Sequence, residues 1–156
     1  MGCMAAGGVG RICVLQGSIN ARKYIDKVLV PRLVPSARDL FLPDTALLDD
    51  KPDYIFQQDN APCHTAEVCK DWLHANGIQV LDWPGNSPDR NSIENLWSRL
   101  KRIVAKRHPS NRQQLIEAII QSWHHVIQPE NLKSLVASMP QRCAAVIKAR
   151  GYPTRY

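Results

Sequence analysis

The chain has 156 residues, a hydrophobic fraction of 44% and a formal net charge of +6. These values suit one globular domain with a hydrophobic core. No stretch reaches about 18 consecutive apolar residues, and the first residues lack a signal-peptide layout, so an intracellular, soluble protein is expected. The excess of Lys and Arg favours a polyanionic partner, although charge alone does not distinguish DNA from RNA.

The first half of the chain predicts a hairpin, a helix and a strand. Short apolar runs around Gly7 and Gly8 are typical of a β-hairpin. Asn20 is a good N-cap for a helix that we expect to end where Pro31 and Pro35 interrupt it. After an exposed loop at 42–53, the run YIFQQD predicts a strand that ends at Asp59.

The second half of the chain predicts one more strand among several helices. Thr65 is expected to cap a helix that stops at Gly77, and IQVLDW predicts a buried strand. A loop, PGNSPDRN, leads into a helix with an apolar stripe from Ile93 to Val104, and two further helices follow, the last with a kink at Pro140. This order predicts an α/β fold, a mixed sheet with helices on both faces, as one domain.

Two acidic residues are candidates for a catalytic or metal-binding site. Asp59 follows a predicted strand, at the edge of an α/β sheet where ligands tend to bind, but it could simply form a turn. Glu94 lies in the first turn of a helix, where it could instead complete a capping box with Asn91. If the two carboxylates adjoin, they could share divalent cations of the kind that assist phosphodiester cleavage.

The segment QQDNAPCHTAEVCKDWLHANGIQVLDWPGNSPDRNSIENLW resembles the core of Tc-like transposases of the mariner superfamily. In that family an aspartate and a glutamate are 34 residues apart, and 34 residues lie between Asp59 and Glu94. The flanking INARKYI and SMPQRCAAVIKARGYPTRY are similar too. The resemblance implies an RNase H-like fold, with a core at about 1–108 and C-terminal helices at about 111–150. It also implies a DDE site whose three acidic residues bind Mg²⁺ or Mn²⁺ for DNA transposition and integration.

Carried over residue by residue, Asp59 is the second acid and Glu94 the third, both metal ligands and catalytic. Asn60 and His64 become accessory candidates, able to orient the metal site or contact the scissile phosphate, the alternative being local hydrogen bonding. The family's first acid lies on a first strand, upstream of the hairpin that opens this chain, and no residue here matches it. We therefore expect the first strand to be missing, catalysis to be impaired, and the unpaired hairpin edge to invite self-association.

Asp49, Asp50 and Asp53 do not resemble the family's first acidic segment, and Arg90 and Ser92 depart from its usual leucine and proline. Cys63, His64, Cys69 and His74 could suggest zinc, but they lack a paired CxxC, and the five cysteines are expected to be reduced thiols.

The expected partner is double-stranded DNA, both transposon ends and target, with self-association on DNA in the nucleus. Four cations near the end of one helix either contact the DNA backbone or form a solvated helix end; they are Lys101, Arg102, Lys106 and Arg107. The main alternative is a non-enzymatic, transposase-derived DNA-binding or interaction remnant that binds no metal. A generic RNase H-like nuclease is a third hypothesis.

Overall fold

The structure is a computed structural model that describes residues 1–156 except 44, 48–49, 83–90, 126, 153 and 155–156. The strands are β1 (Met4–Ala5), β2 (Gly8–Val9), β3 (Ile55–Phe56) and β4 (Gln79–Val80). The helices are α1 (Ala21–Tyr24), a π-helix (Ile25–Leu33), α2 (Val34–Phe41), α3 (Pro62–Thr65), α4 (Glu67–Ala75), α5 (Ser92–Ala105), α6 (Arg112–His125), α7 (Pro129–Ala137) and α8 (Met139–Lys148). No helix in the described ranges is long and apolar enough to cross a membrane.

The chain forms two compact units. The first comprises Met1–Cys3 and Gly10–Asn86, and the second comprises Met4–Val9 and Ser87–Tyr156. Parallel and antiparallel strand pairing are both present, in keeping with the predicted mixed α/β class. The ladders are shorter than the apolar runs suggested, and within the described residues they make two separate two-stranded sheets.

The first unit contains a helix that runs through two prolines. Asn20 caps it as predicted, since its Oδ1 accepts a hydrogen bond from the Lys23 N–H at 2.8 Å. The expected end at Pro31 is wrong, because Pro31 lies inside the π-helix Ile25–Leu33, which continues as α2. The Val34 N–H donates to the carbonyl of Leu29, five residues back, so the wider turn carries the chain past a residue that has no N–H.

The core of the first unit lies between this helix and α4. Its buried residues are Tyr24, Ile25, Val28, Leu29, Leu33, Cys69 and Leu73. Strands β3 and β4 pair in parallel, with Ile55 opposite Gln79 and Phe56 opposite Val80, and α3 and α4 form the connection between them. The predicted buried strand is corrected in one respect, since Gln79 and Val80 are both exposed.

Helix α4 differs from the prediction only at its start. It begins at Glu67 after the separate short helix α3, and Thr65 provides no cap; its hydroxyl instead donates to the carbonyl of Ala61 at 3.4 Å. The predicted stop at Gly77 is confirmed by a left-handed φ of 66° there.

The second unit contains the β1–β2 hairpin and helices α5 to α8. The hairpin is confirmed, with Met4 opposite Val9 and Ala5 opposite Gly8. The α5 stripe is confirmed too, because Leu96, Leu100 and Val104 are buried. Trp97 stacks on the fully buried Trp123 of α6, with ring centroids 4.8 Å apart.

The predicted kink at Pro140 is a complete break. Helix α7 ends at Ala137 and α8 begins at Met139, with Pro140 in its first turn. A proline is favoured there, because the first N–H groups of a helix have no intrahelical acceptor.

We predict that Gly10→Ala destabilises the protein. A Cβ on Gly10 would meet the Sγ of Cys3 and, at 2.7 Å, the Cβ and Oγ of the buried Ser36, whose Cβ has no rotamer by which to move away. Overpacking of this kind costs about 1–3 kcal/mol. Urea denaturation should show the lower midpoint.

Gly7→Ala is the matched control, since nothing lies within 4 Å of its added Cβ. Equal denaturation midpoints for the two alanine variants would contradict the close packing at Gly10.

Candidate active site

Asp59 lies three residues after β3 with its side chain 63% exposed. Its Oδ1 accepts a hydrogen bond from the Ala61 N–H at 3.0 Å, which is the turn-forming role that the sequence allowed. No described residue hydrogen-bonds its Oδ2. One carboxylate oxygen is therefore tethered to the loop while the other is open to a ligand, so the turn role and a ligand role are compatible.

His64, in α3, is the second residue that holds this carboxylate. Its Nδ1 lies 2.6 Å from the Oδ1 of Asp59 and 3.2 Å from the Asp59 carbonyl oxygen. The imidazole is only 8% exposed, and it packs on the ring of Tyr24 with centroids 4.2 Å apart. His64 is thus a buried residue whose polar edge faces an exposed carboxylate.

Tyr24 continues this network into the core. Its hydroxyl donates a hydrogen bond to the Oε1 of Gln58 at 3.0 Å. Burial raises the pKa of Tyr24 well above its ordinary value, and the nearby Cys69 and Cys63 add to that effect, so the phenol stays protonated and keeps donating. Helix α1 therefore anchors the loop on both sides of Asp59, at Gln58 and at His64.

Sequence reasoning missed Tyr24 and Gln58 as parts of the site. Tyr24 lies among apolar residues at helical spacing after Asn20, a pattern that by itself predicts only packing. A usable signal was present, because a buried tyrosine hydroxyl requires a hydrogen-bond partner.

Glu94 is exposed in the first turn of α5. Asn91 occupies the N-cap position with extended backbone, and its carbonyl accepts from the Glu94 N–H at 3.1 Å, but its side chain makes no capping hydrogen bond. The asparagine half of the expected capping box is therefore absent. Asp59 belongs to the first unit and Glu94 to the second, and their shared metal site stays a prediction.

The other candidate metal ligands do not form a ligand cluster among the described residues. Across the described ranges, no group of three or more His, Cys, Asp and Glu side chains is arranged to hold a metal ion. Cys69 is fully buried in the core, Cys63 packs against that core, and His74 is exposed. Asp50 accepts a hydrogen bond from the Leu47 N–H, Asp53 is exposed, and Asp49 lies outside the described residues.

The remaining predicted residues are exposed. Asn60 follows Asp59 in the loop. Lys101 and Arg102 lie in the last turns of α5, and Lys106 and Arg107 follow it. Arg107 donates a hydrogen bond to the Oε1 of Gln121 at 2.8 Å, which ties the end of α5 to α6. Arg90 lies outside the described residues.

The sequence profile of the DDE superfamily endonucleases matches residues 1–116. The chain belongs to this family. It is 40% identical over 103 residues to the Tcb2 transposase of Caenorhabditis briggsae, covering 66% of this chain and 37% of that protein. The Tc1 transposase of Caenorhabditis elegans gives the same identity and coverage. The chain thus corresponds to a Tc1/mariner transposase catalytic domain, as its motifs suggested, and spans just over a third of these relatives.

Solved structures establish the fold. The Mos1 transposase catalytic domain with raltegravir and Mg superposes with a TM-score of 0.77 at 21% identity, over 97% of this chain and 74% of that one. The same domain with Mn gives 0.79 at 21% identity, with the same coverage. The Mos1 strand transfer complex gives 0.72 at 20% identity, over 96% of this chain and 42% of that one. The predicted RNase H-like α/β fold is confirmed.

The buried and exposed cysteines should differ in reactivity. Burial raises the pKa of the Cys69 thiol, and nearby Cys63 raises it further, so little thiolate forms at pH 8. Cys143 is exposed. With a thiol-specific disulfide reagent at pH 8, we predict that Cys143 reacts about tenfold or more faster than Cys69, as measured by mass spectrometry of labelled peptides.

The same labelling in urea is the control, because both thiols should then react at similar rates. Equal rates in the native protein would show that Cys69 is not enclosed by the core of the first unit.

Proposed function

We propose that this domain acts in cut-and-paste DNA transposition, with Asp59 and Glu94 as catalytic metal ligands. The observation that carries the proposal is the Asp59 carboxylate, which is held through one oxygen by Ala61 and His64 and open at the other. It lies within the family match over residues 1–116, at the family's 34-residue spacing from Glu94. The proposed reactions are hydrolysis at transposon ends and attack of the freed 3′ hydroxyl on target DNA.

The donor atoms fit Mg²⁺ or Mn²⁺. Both ions are hard and prefer oxygen ligands, and Asp59 and Glu94 are both exposed carboxylates. The neighbouring fold of Mos1 has been solved with Mg and with Mn. When bound, such ions supply charge stabilisation at the phosphodiester under attack.

Each carboxylate is carried by an ordered segment of its own unit. Asp59 presents one oxygen from an anchored loop, and Glu94 presents its carboxylate from the first turn of a 14-residue helix. No residue of the chain matches the family's first acid. The carboxylate of Asp50 accepts a hydrogen bond from Leu47 within its own loop. We therefore expect these two ligands to support weak, manganese-dependent cleavage rather than full transposition.

The proposed partner is double-stranded DNA in the nucleus. The net charge of +6 and the exposed cations Lys101, Arg102 and Lys106 favour contacts with phosphates. These side chains lie at and beyond the C-terminal end of α5, where they would contact the DNA backbone and not the bases. The proposal extends to transposon ends and target as the DNA and to self-association on it.

Removal of both carboxylates should abolish metal-dependent nicking. The Asp59→Asn, Glu94→Gln double variant keeps side-chain size but removes both anionic ligands, so we predict a loss of about 100-fold or more in Mn²⁺-dependent nicking of supercoiled plasmid. Agarose-gel rates measure the nicking, and calorimetric Mn²⁺ titration measures the metal site independently.

The matched control is Asp71→Asn with Glu117→Gln, which removes the same two charges from exposed sites on α4 and α6. Nicking that persists in the Asp59, Glu94 variant would contradict the assignment of these two residues as catalytic metal ligands. A wild-type chain that neither nicks DNA nor binds Mn²⁺ would favour the alternative, a non-enzymatic DNA-binding or interaction remnant.

The cations after Glu94 can be tested by salt dependence. Changing Lys101, Arg102 and Lys106 to Gln should flatten the slope of log K against log salt by about 0.9 for each lost phosphate contact. Fluorescence anisotropy with a labelled duplex measures the slope. Arg107 is left intact because it bonds Gln121.

The matched control changes Lys51, Lys133 and Lys148 to Gln, three exposed lysines elsewhere on the chain. An equal change of slope in both triple variants would mean that DNA binding depends on net charge and not on this helix end.

A further inference from the structure

We propose that His64 is a positioning residue for Asp59: its buried Nδ1–H fixes one carboxylate oxygen, so that the other is presented to the metal. The consequence for catalysis rests on the proposed function, whereas the hydrogen bond itself does not. His64 touches no reacting atom in this scheme and acts only through Asp59.

The proton at Nδ1 follows from its neighbours. The two atoms that face Nδ1 are the Oδ1 and the carbonyl oxygen of Asp59, and both are acceptors only. Nδ1 must therefore be the donor. At 2.6 Å the contact with Oδ1 is short, as expected when the acceptor is a charged carboxylate.

The imidazole cannot easily turn away from Asp59. It is enclosed in the first unit, and its ring packs on Tyr24, whose hydroxyl is in turn bound to Gln58. The ring and the loop are thus held by the same helix. A donor fixed in this way orients the carboxylate before any ligand arrives, as outer hydrogen-bond partners do for metal ligands generally.

Packing alone does not explain a histidine at this position. The Nε2 of His64 is buried without a hydrogen-bond partner in the described part of the chain. Burying an unpaired polar nitrogen is unfavourable, and an apolar side chain of similar size would avoid that cost. What the imidazole supplies, and an apolar side chain cannot, is the N–H aimed at Asp59.

The arrangement makes the two oxygens of Asp59 different. Oδ1 accepts from both the Ala61 N–H and the His64 Nδ1–H, which draws negative charge toward it and fixes the carboxylate plane. Oδ2 has no such donor among the described residues and is left as the oxygen for a cation. Loss of the His64 donor would leave the Asp59 side chain held by the Ala61 hydrogen bond alone, and so less fixed in orientation.

The decisive pair of variants is His64→Asn and His64→Leu. Asparagine and leucine have nearly the same size, but only asparagine places an N–H near the position of Nδ1. We expect the Mn²⁺ dissociation constant, measured by electron paramagnetic resonance on the full chain, to change by less than about threefold in His64→Asn. In His64→Leu it should rise by about 10- to 100-fold, the usual effect of losing an outer partner of a metal ligand.

In a chain that binds Mn²⁺, equal affinity in the wild type and a folded His64→Leu variant would overturn the proposal. Equal losses in the asparagine and leucine variants would also overturn it, because they would indicate a role for ring packing and not for the donor. Tyr24→Phe serves as the packing control, since it keeps the ring against His64 and removes only the bond to Gln58.

A second measurement needs neither metal nor activity, so it separates this proposal from the proposed function. Nitrogen-15 NMR of the five histidines, with His64 assigned through His64→Asn, should show a protonated Nδ1 whose proton resonance lies far downfield. Asp59→Ala should shift that resonance strongly upfield or broaden it by exchange. A proton on Nε2 alone, or no response to Asp59→Ala, would overturn the proposal even if the chain binds Mn²⁺. The expected NMR response without Mn²⁺ binding would sustain it and sink only the catalytic role.

Discussion

The contact between the buried rings of Tyr24 and His64 is the interaction on which the proposed site depends. Tyr24 connects its helix to the loop after β3 at two points. Its ring packs on His64, which bonds the Asp59 carboxylate, and its hydroxyl donates to Gln58. Without this anchoring, Asp59 would be an exposed side chain on a short turn. With it, one carboxylate oxygen is held by hydrogen bonds and the other is open to a ligand.

The helix that carries Tyr24 owes its length to its π-helical middle. Two prolines within five residues, Pro31 and Pro35, would ordinarily end a helix, yet hydrogen bonds to the fifth residue back let the chain continue from Ile25 to Leu33 and into α2. The buried residues Ile25, Val28, Leu29 and Leu33 hold this segment against α4. The strength of that apolar packing is the physical reason that local backbone preference is overridden.

In the second unit, the apolar and the charged residues of α5 have different roles. Buried Leu96, Leu100 and Val104 fix α5 from within, and the stacked pair Trp97 and Trp123 joins it to α6. The opposite side of the same helix keeps Glu94 and the terminal cations in solvent. One amphipathic helix thereby carries a candidate metal ligand at its start and candidate phosphate contacts at its end.

Much of this protein could be predicted from its sequence. Turn residues, caps and apolar spacing predicted the hairpin, the Asn20 cap, the stop at Gly77 and the α5 stripe, because these features arise from contacts between residues close in the chain. The motif around Asp59 and Glu94 predicted the family and the RNase H-like fold, and the two residues as ligands remain a proposal.

Only the tertiary structure decided the features that depend on distant partners. The π-helix across Pro31 and the exposure of β4 depend on packing that local pattern does not encode. The same holds for His64, whose sequence position was compatible with a loop hydrogen bond, a zinc ligand or a phosphate contact. Its burial on Tyr24, 40 residues away in sequence, turns its Nδ1 toward Asp59, because a buried imidazole must direct its N–H to whatever acceptor the fold provides.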